Sequence, residues 1–181
     1  MHLPTLLLLS LPTLTLSQTP PSPSEPRKVY LATPVNPKFV IEPKSLPAKA
    51  GVQLVVNPLA NKPSQQWALL TVGNTTRIQL ANTTLCIDAG AKANWKDMAR
   101  VALGECDEKV DGQRWTVMAD GRVAVEGSVK PQSCLDLEYM RATAGNPVGL
   151  YTCAGLGGTG AADKGIVWGL VDVTGAAGGG V

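Results

Sequence analysis

The chain has 181 residues, a formal net charge of +2 and a charged fraction of 17%. That length fits one domain with short appendages, and the weak charge without a Lys/Arg cluster argues against nucleic acid as a partner. Aromatic residues make up 4% of the chain, so the positions of its four tryptophans carry weight.

Residues 1–17 begin with an apolar run, Leu3 to Leu16, broken by Pro4 and Pro12. A bilayer span needs about 20 apolar residues, and interior prolines break a buried helix. With small residues Thr15 and Ser17 at its end, the run reads as a secretory signal peptide, although no Lys or Arg precedes it. No later segment is long and apolar enough to cross a membrane. Residues 18–37 contain TPPSPSEP and further prolines at Pro34 and Pro37. This stretch reads as an extended linker. Residues 174–181 read as a flexible Gly-rich tail, too short and polar for a lipid-anchor signal.

Between these, short Val/Leu/Ile runs separated by Gly, Asn, Asp and Pro predict strands at Val52–Val56, Trp67–Val72, Thr76–Leu80, Arg100–Leu103, Trp115–Met118, Arg122–Val125, Val148–Tyr151 and Ile166–Val173. No helical periodicity competes with them. The sequons Asn74-Thr75-Thr76 and Asn82-Thr83-Thr84 are candidate glycosylation sites on a secreted chain.

Secretion makes the four cysteines disulfide candidates, with three connectivities open, and the absence of any Cys-x-x-Cys pair argues against zinc. A repeat narrows the choice. Trp67 and Trp115 lie 48 residues apart, as do Cys86 and Cys134. Two unrelated markers with one period indicate an internal repeat. One copy runs Cys86-Ile87-Asp88, then an aliphatic stretch to Cys106, then Gln113-Arg114-Trp115. The next runs Cys134-Leu135-Asp136, then Val148 to Cys153, then Ile166-Val167-Trp168. A degenerate first copy offers Phe39-Val40-Ile41, Val52 to Asn57 and Gln65-Gln66-Trp67, without cysteines. Each complete copy carries its own pair, which points to Cys86–Cys106 and Cys134–Cys153.

Three copies of Cys-x-Asp, aliphatic strand and Gln-x-Trp resemble the ricin B-type lectin domain over residues 38–173. The resemblance implies an all-β fold, a β-trefoil of three pseudo-symmetric units acting as a carbohydrate-binding module. Trp67, Trp115 and Trp168 are then expected in the core, one per unit. In such domains the Cys-x-Asp aspartate accepts sugar hydroxyls. An aromatic residue two before the second cysteine stacks on the ring, with an amide two before it and an Asn before Gln-x-Trp. On that pattern the third copy offers Asp136 and Tyr151, but Gly149, Gly165 and Ile166 stand where polar groups are expected. The second copy keeps Asp88, with Gly104, Ala102 and Gly112 at the other positions, and Trp95 in its loop as a substitute stacking face. The first copy has Ile41 at the aspartate position and is expected to be silent. The bland reading of Asp88 and Asp136 is as turn caps.

The sole histidine is His2, inside the presumed signal peptide, which excludes triad catalysis and histidine metal sites. No pair of carboxylates stands out for glycoside hydrolysis, and the Gly-rich segment after Cys153 lacks the Lys-Ser/Thr of a phosphate loop. The expectation is therefore a secreted, non-enzymatic lectin-like module without metal or cofactor, binding a glycan or polysaccharide through the third repeat, with the second as a further candidate. The competing expectation is a trefoil scaffold that has lost sugar binding and contacts a secreted or cell-surface protein, as an inhibitor or host-interaction factor.

Overall fold

A computed structural model describes residues 25–129, 132–153 and 163–173. The expected signal peptide and Gly-rich tail lie outside these residues. Twelve strands form, all paired antiparallel: β1 (Arg27–Ala32), β2 (Phe39–Pro43), β3 (Leu54–Pro58), β4 (Trp67–Val72), β5 (Thr75–Leu80), β6 (Leu85–Asp88), β7 (Ala102–Glu105), β8 (Trp115–Val117), β9 (Val123–Val125), β10 (Ser133–Leu137), β11 (Asn146–Thr152) and β12 (Gly169–Asp172). The only helical elements among the described residues are three-residue 3₁₀ turns.

Pairing divides the strands into three units of four. Within a unit the outer strands pair, β1 with β4 and β5 with β8, and a single bridge, Arg122 to Val167, does the same job in the third. Between units, β4 pairs β5, β8 pairs β9, and β12 pairs β1. Those six strands close a barrel and leave it no open edge. The inner strands form hairpins, β2–β3, β6–β7 and β10–β11. The hairpins meet around the pseudo-threefold axis through β3–β11 and the bridges Gln53–Ala102 and Arg100–Gly149. The fold is a β-trefoil.

Period-2 alternation explains the core. One layer is Leu31, Ile78 and Val123, each placed two residues after the strand position facing an indole residue or its equivalent and each fully buried. A second layer holds Trp67, Trp115 and Trp168, none more than 2% exposed. Their Nε1–H groups donate to the carbonyls of Ile41 (3.1 Å), Ile87 (3.1 Å) and Leu135 (2.9 Å). The repeated triplet is thus a repeated anchor: one large ring per unit with its only polar atom satisfied across the hairpin. A third layer, Val56, Leu103 and Leu150, seals the hairpin end.

The disulfides are Cys86–Cys106 and Cys134–Cys153, each closing one hairpin of its own unit. Loops of this size stabilise by about 3 kcal/mol through the unfolded state. The first unit substitutes buried Val40, which packs with Tyr30 and Ala32.

Three sequence expectations are corrected. Residues 27–32 are not linker: β1 pairs with β2, β4 and β12, and Val29 and Leu31 are fully buried, so the barrel begins well before residue 38. The strand expected from Ile166 starts at Gly169, because Lys164–Ile166 is a 3₁₀ turn. The strand expected at Arg100–Leu103 occupies Ala102–Glu105, shifted toward the cysteine.

Candidate functional site

The indole contacts fix the alignment of the three units. Ile41 accepts from Trp67 as Ile87 does from Trp115 and Leu135 from Trp168. Ile41 is therefore the counterpart of Ile87 and Leu135, and the residue matching Asp88 and Asp136 is Glu42. The expectation that Ile41 fills the aspartate position is out of register by one residue. Hairpin pairing agrees: Glu42, Asp88 and Asp136 face Val55, Ala102 and Gly149.

The three carboxylates then meet different fates. Glu42 is 8% exposed and takes a 2.6 Å hydrogen bond from the Asn57 amide, whose oxygen accepts from the Gly145 N–H. One of its carboxylate oxygens is thus engaged by the chain itself, while Oε2 is buried without a hydrogen-bond partner among the described residues. Asp88 accepts from the Gly90 N–H at 2.7 Å and from the Gln113 amide at 3.0 Å. That amide also bonds the Glu105 carbonyl, and its oxygen accepts from the Asp107 N–H. Trp95 is half-buried against the core and donates from Nε1 to the Gly90 carbonyl, with the Lys92 ammonium 6.0 Å from its ring centroid. Asp88 and Trp95 thus both end on Gly90 and close their own loop, the turn-capping role.

Asp136 differs. Ile166, fully buried, stands where Gln113 stands in the second unit, so no side-chain amide reaches the carboxylate. No hydrogen bond from the described residues ends on it. The missing polar groups also have steric causes. A Cβ on Gly165 would sit 2.6 Å from Asp136 Oδ1, and one on Gly149 would sit 2.7 Å from the Ala99 carbonyl oxygen. Gly112 makes the same room for Asp88, where a Cβ would lie 2.5 Å from Oδ1. The absent amides are the condition for an open, unpartnered aspartate.

That aspartate lies in an open cleft of about 220 Å³, lined by Met98, Asp136, Leu137, Tyr139, Met140, Tyr151 and Asp163. Asp136 is 6% exposed, while Tyr151 is 38% and Tyr139 66% exposed. The arrangement is a recessed carboxylate between exposed rings. Burial, followed by the charges of Asp163, Glu138 and Asp97, pushes the Asp136 carboxyl up to about 7.

Five of these residues escaped the sequence reading. Three of them, Met98, Tyr139 and Met140, hold left-handed φ angles of 66°, 55° and 52°. Symmetry exposes the first. The N–H groups of Gly51, Met98 and Gly145 donate to Leu103, Leu150 and Val56 in cyclic order. Two units use glycine there, at φ 84° and 79°, and the second spends a methionine. An L-residue in this conformation costs about 1–2 kcal/mol, and such strain concentrates at functional positions. Met98→Gly should stabilise the domain by a net of roughly 0.5–1 kcal/mol in chemical denaturation, whereas Met98→Ala, which keeps the strain, should not. Equal midpoints for the two variants would show that the strain is not what Met98 contributes.

The loop carrying Met98 is fixed to the third unit. Asp97 accepts from the Thr152 N–H at 2.6 Å and from its hydroxyl at 2.9 Å, and Met98 N–H donates to Leu150. Arg100 forms a two-pronged ion pair with Glu138, whose carbonyl accepts from the Asn146 amide. The cleft thus spans two units. The sequon residues Asn74 and Asn82 are both exposed. Among the described residues no group of three His, Cys, Asp or Glu side chains is placed to hold a metal ion, and no helix is long and apolar enough to cross a membrane.

A closed barrel of three disulfide- or valine-clasped units with a carboxylate-and-tyrosine cleft defines a β-trefoil module of the lectin class. Residues 74–163 match the ricin-type β-trefoil lectin domain. The match falls on the second and third units, which carry the cysteines. Among solved structures, the designed three-fold symmetric protein ThreeFoil superposes with a TM-score of 0.66 at 19% identity, over 81% of this chain and 99% of its own. The C-half of an earthworm R-type lectin, solved in complex with GalNAc, gives 0.59 at 15% identity, over 81% and 99%. The Rhizoctonia solani agglutinin gives 0.63 at 18% identity, over 84% and 99%. At these identities the likeness is one of fold. No curated protein matches the chain in sequence.

Proposed function

We propose that the protein is a secreted, non-catalytic carbohydrate-binding module that holds a sugar in the cleft of its third unit. The observation that carries this reading is Asp136: a recessed carboxylate that no described donor satisfies, open to a cleft walled by Tyr151 and Tyr139. A carboxylate offers acceptors for sugar hydroxyls, and an exposed ring covers the apolar face of a pyranose. The family match supports the ligand class. The paired cysteines support an oxidising compartment, where Asn74 and Asn82 would be open to glycosylation. In this reading Asp88 with Trp95, and Glu42 with Asn57, are structural counterparts that have closed on themselves.

The test is a glycan array with the oxidised protein, beside Tyr151→Ala. We expect binding to a restricted set of glycans, weakened about tenfold or more by loss of the ring. Silence across a broad array, together with capture of a protein partner that free sugars do not displace, would replace this reading with that of a protein-binding scaffold.

A further inference from the structure

We infer that the cleft selects sugars carrying a free, protonated amine over their neutral or N-acetylated counterparts. This rests on the carbohydrate-binding reading above and names the ligand class of the same site.

The first observation is the charge lining the cleft. Asp136 and Asp163 both line it, and among the described residues no Lys or Arg does. The neighbouring charges are accounted for from each element packed against Asp136. On the turn after β10, Glu138 is held by Arg100. On the loop from the second unit, Asp97 is engaged by the Thr152 N–H and hydroxyl, which leaves its negative charge in place. On the turn before β12, Asp163 accepts from the Gly165 N–H, and the adjacent Lys164 is exposed. The Arg141 guanidinium lies 5.2 Å from the centroid of the Tyr139 ring. The second observation is independent of this clustering. Asp136 is more than nine-tenths buried, opens onto the cleft and has no donor among the described residues.

A neutral hydroxyl can donate to Asp136 but leaves the repulsion among the carboxylates in place. An ammonium supplies up to three donors and one opposite charge. Burial, joined by the negative charges of Asp163, Glu138 and Asp97, holds the Asp136 carboxyl up to about 7. A cation in the cleft reverses the sign of that field and draws the carboxyl toward its ionised form. The exposed rings of Tyr139 and Tyr151 add faces that favour a cation. A net positive molecule with a locally acidic cleft is otherwise hard to rationalise for a neutral ligand, because burying a repelled carboxylate costs stability that a neutral sugar does not return.

The experiment is an NMR titration of the full, oxidised protein with glucosamine and galactosamine, each against its N-acetylated form, at low and high salt. The expected result is affinity about tenfold or more higher for the free amines, the gap shrinking with salt. In Asp163→Asn, which keeps an oxygen to accept from Gly165, the gap between amine and N-acetylated sugar should narrow. Equal affinity for amine and N-acetylated sugar would overturn the amine selectivity and leave the sugar site standing. Failure of all four sugars here, together with silence on the array, would overturn both.

Discussion

Replacing Trp115 by alanine is expected to lower the unfolding free energy by about 3–5 kcal/mol. The ring is fully buried, lies in the layer shared with Trp67 and Trp168, and has its N–H bonded to the Ile87 carbonyl at 3.1 Å. Truncation leaves a cavity at the junction of barrel and hairpin and removes the donor for a buried carbonyl, which adds to the loss. Domains of this kind hold about 5–15 kcal/mol in total, so the variant should unfold at a much lower denaturant concentration. Trp115→Phe, which fills much of the space but lacks the N–H, should fall between. The check is equilibrium denaturation of all three proteins. A Trp115→Ala variant within about 1 kcal/mol of the parent would refute a shared indole layer as the core of the fold.

Asp136→Asn is expected to abolish sugar binding and at the same time make the unliganded protein more stable above neutral pH. The carboxyl is raised to about 7 in the fold, against about 3.9 in an unfolded chain. A raised folded value means the native state binds the proton more tightly. The associated stability is therefore fully present below about pH 4 and is lost as pH rises through 7. Above that, the ionised group costs the apo fold up to about 4 kcal/mol, which the amide avoids. Thermal unfolding of parent and variant at pH 5 and pH 8 checks the sign. The variant should gain most at pH 8, and the parent should be the more pH-sensitive of the two. For the parent, affinity for an N-acetylated sugar, which carries no titrating amine, should climb as pH passes upward through 7, because the ionised carboxylate is the better acceptor. A variant no more stable at pH 8 than at pH 5 relative to the parent would remove Asp136 as the source of the cost.

The frame of the protein was legible because threefold packing demands like residues at like intervals. The shared step of 48 residues from Trp67 to Trp115 and from Cys86 to Cys134 exposes the repeat, and the order of its motifs then places Trp168 and the partners of the two cysteines. Legibility failed where that constraint is relaxed. The first unit has no cysteines to set its phase, so Ile41 was matched one residue out of register and Glu42 went unnoticed. β1 follows a Pro/Ser-rich stretch, and its buried run Val29–Ala32 is brief enough to pass for linker. The cleft was half legible. Asp136 and Tyr151 sit on strands and follow the repeat, whereas Met98, Tyr139, Met140 and Asp163 come from turns whose irregular backbone leaves no periodic trace. Met98 alone left a signal, a methionine in the place held by Gly51 and Gly145. Substitutions that looked like losses proved to be spatial requirements, since Gly165 and Ile166 clear the ground around Asp136.

The pairing of β1 with β12 has a consequence for how the molecule is made. Val29 and Asp172 are partners, and Arg27 and Asp172 form an ion pair at 2.5 Å across the same seam. On a ribosome β1 emerges long before its mate, since Arg27 and Asp172 lie 145 residues apart. Until then one flank of β1 can find no native neighbour, and the cylinder remains a curled ribbon. Assembly is thus governed by the arrival of β12, and removal of Gly169–Asp172 would leave the other eleven strands present but the ring unclosed.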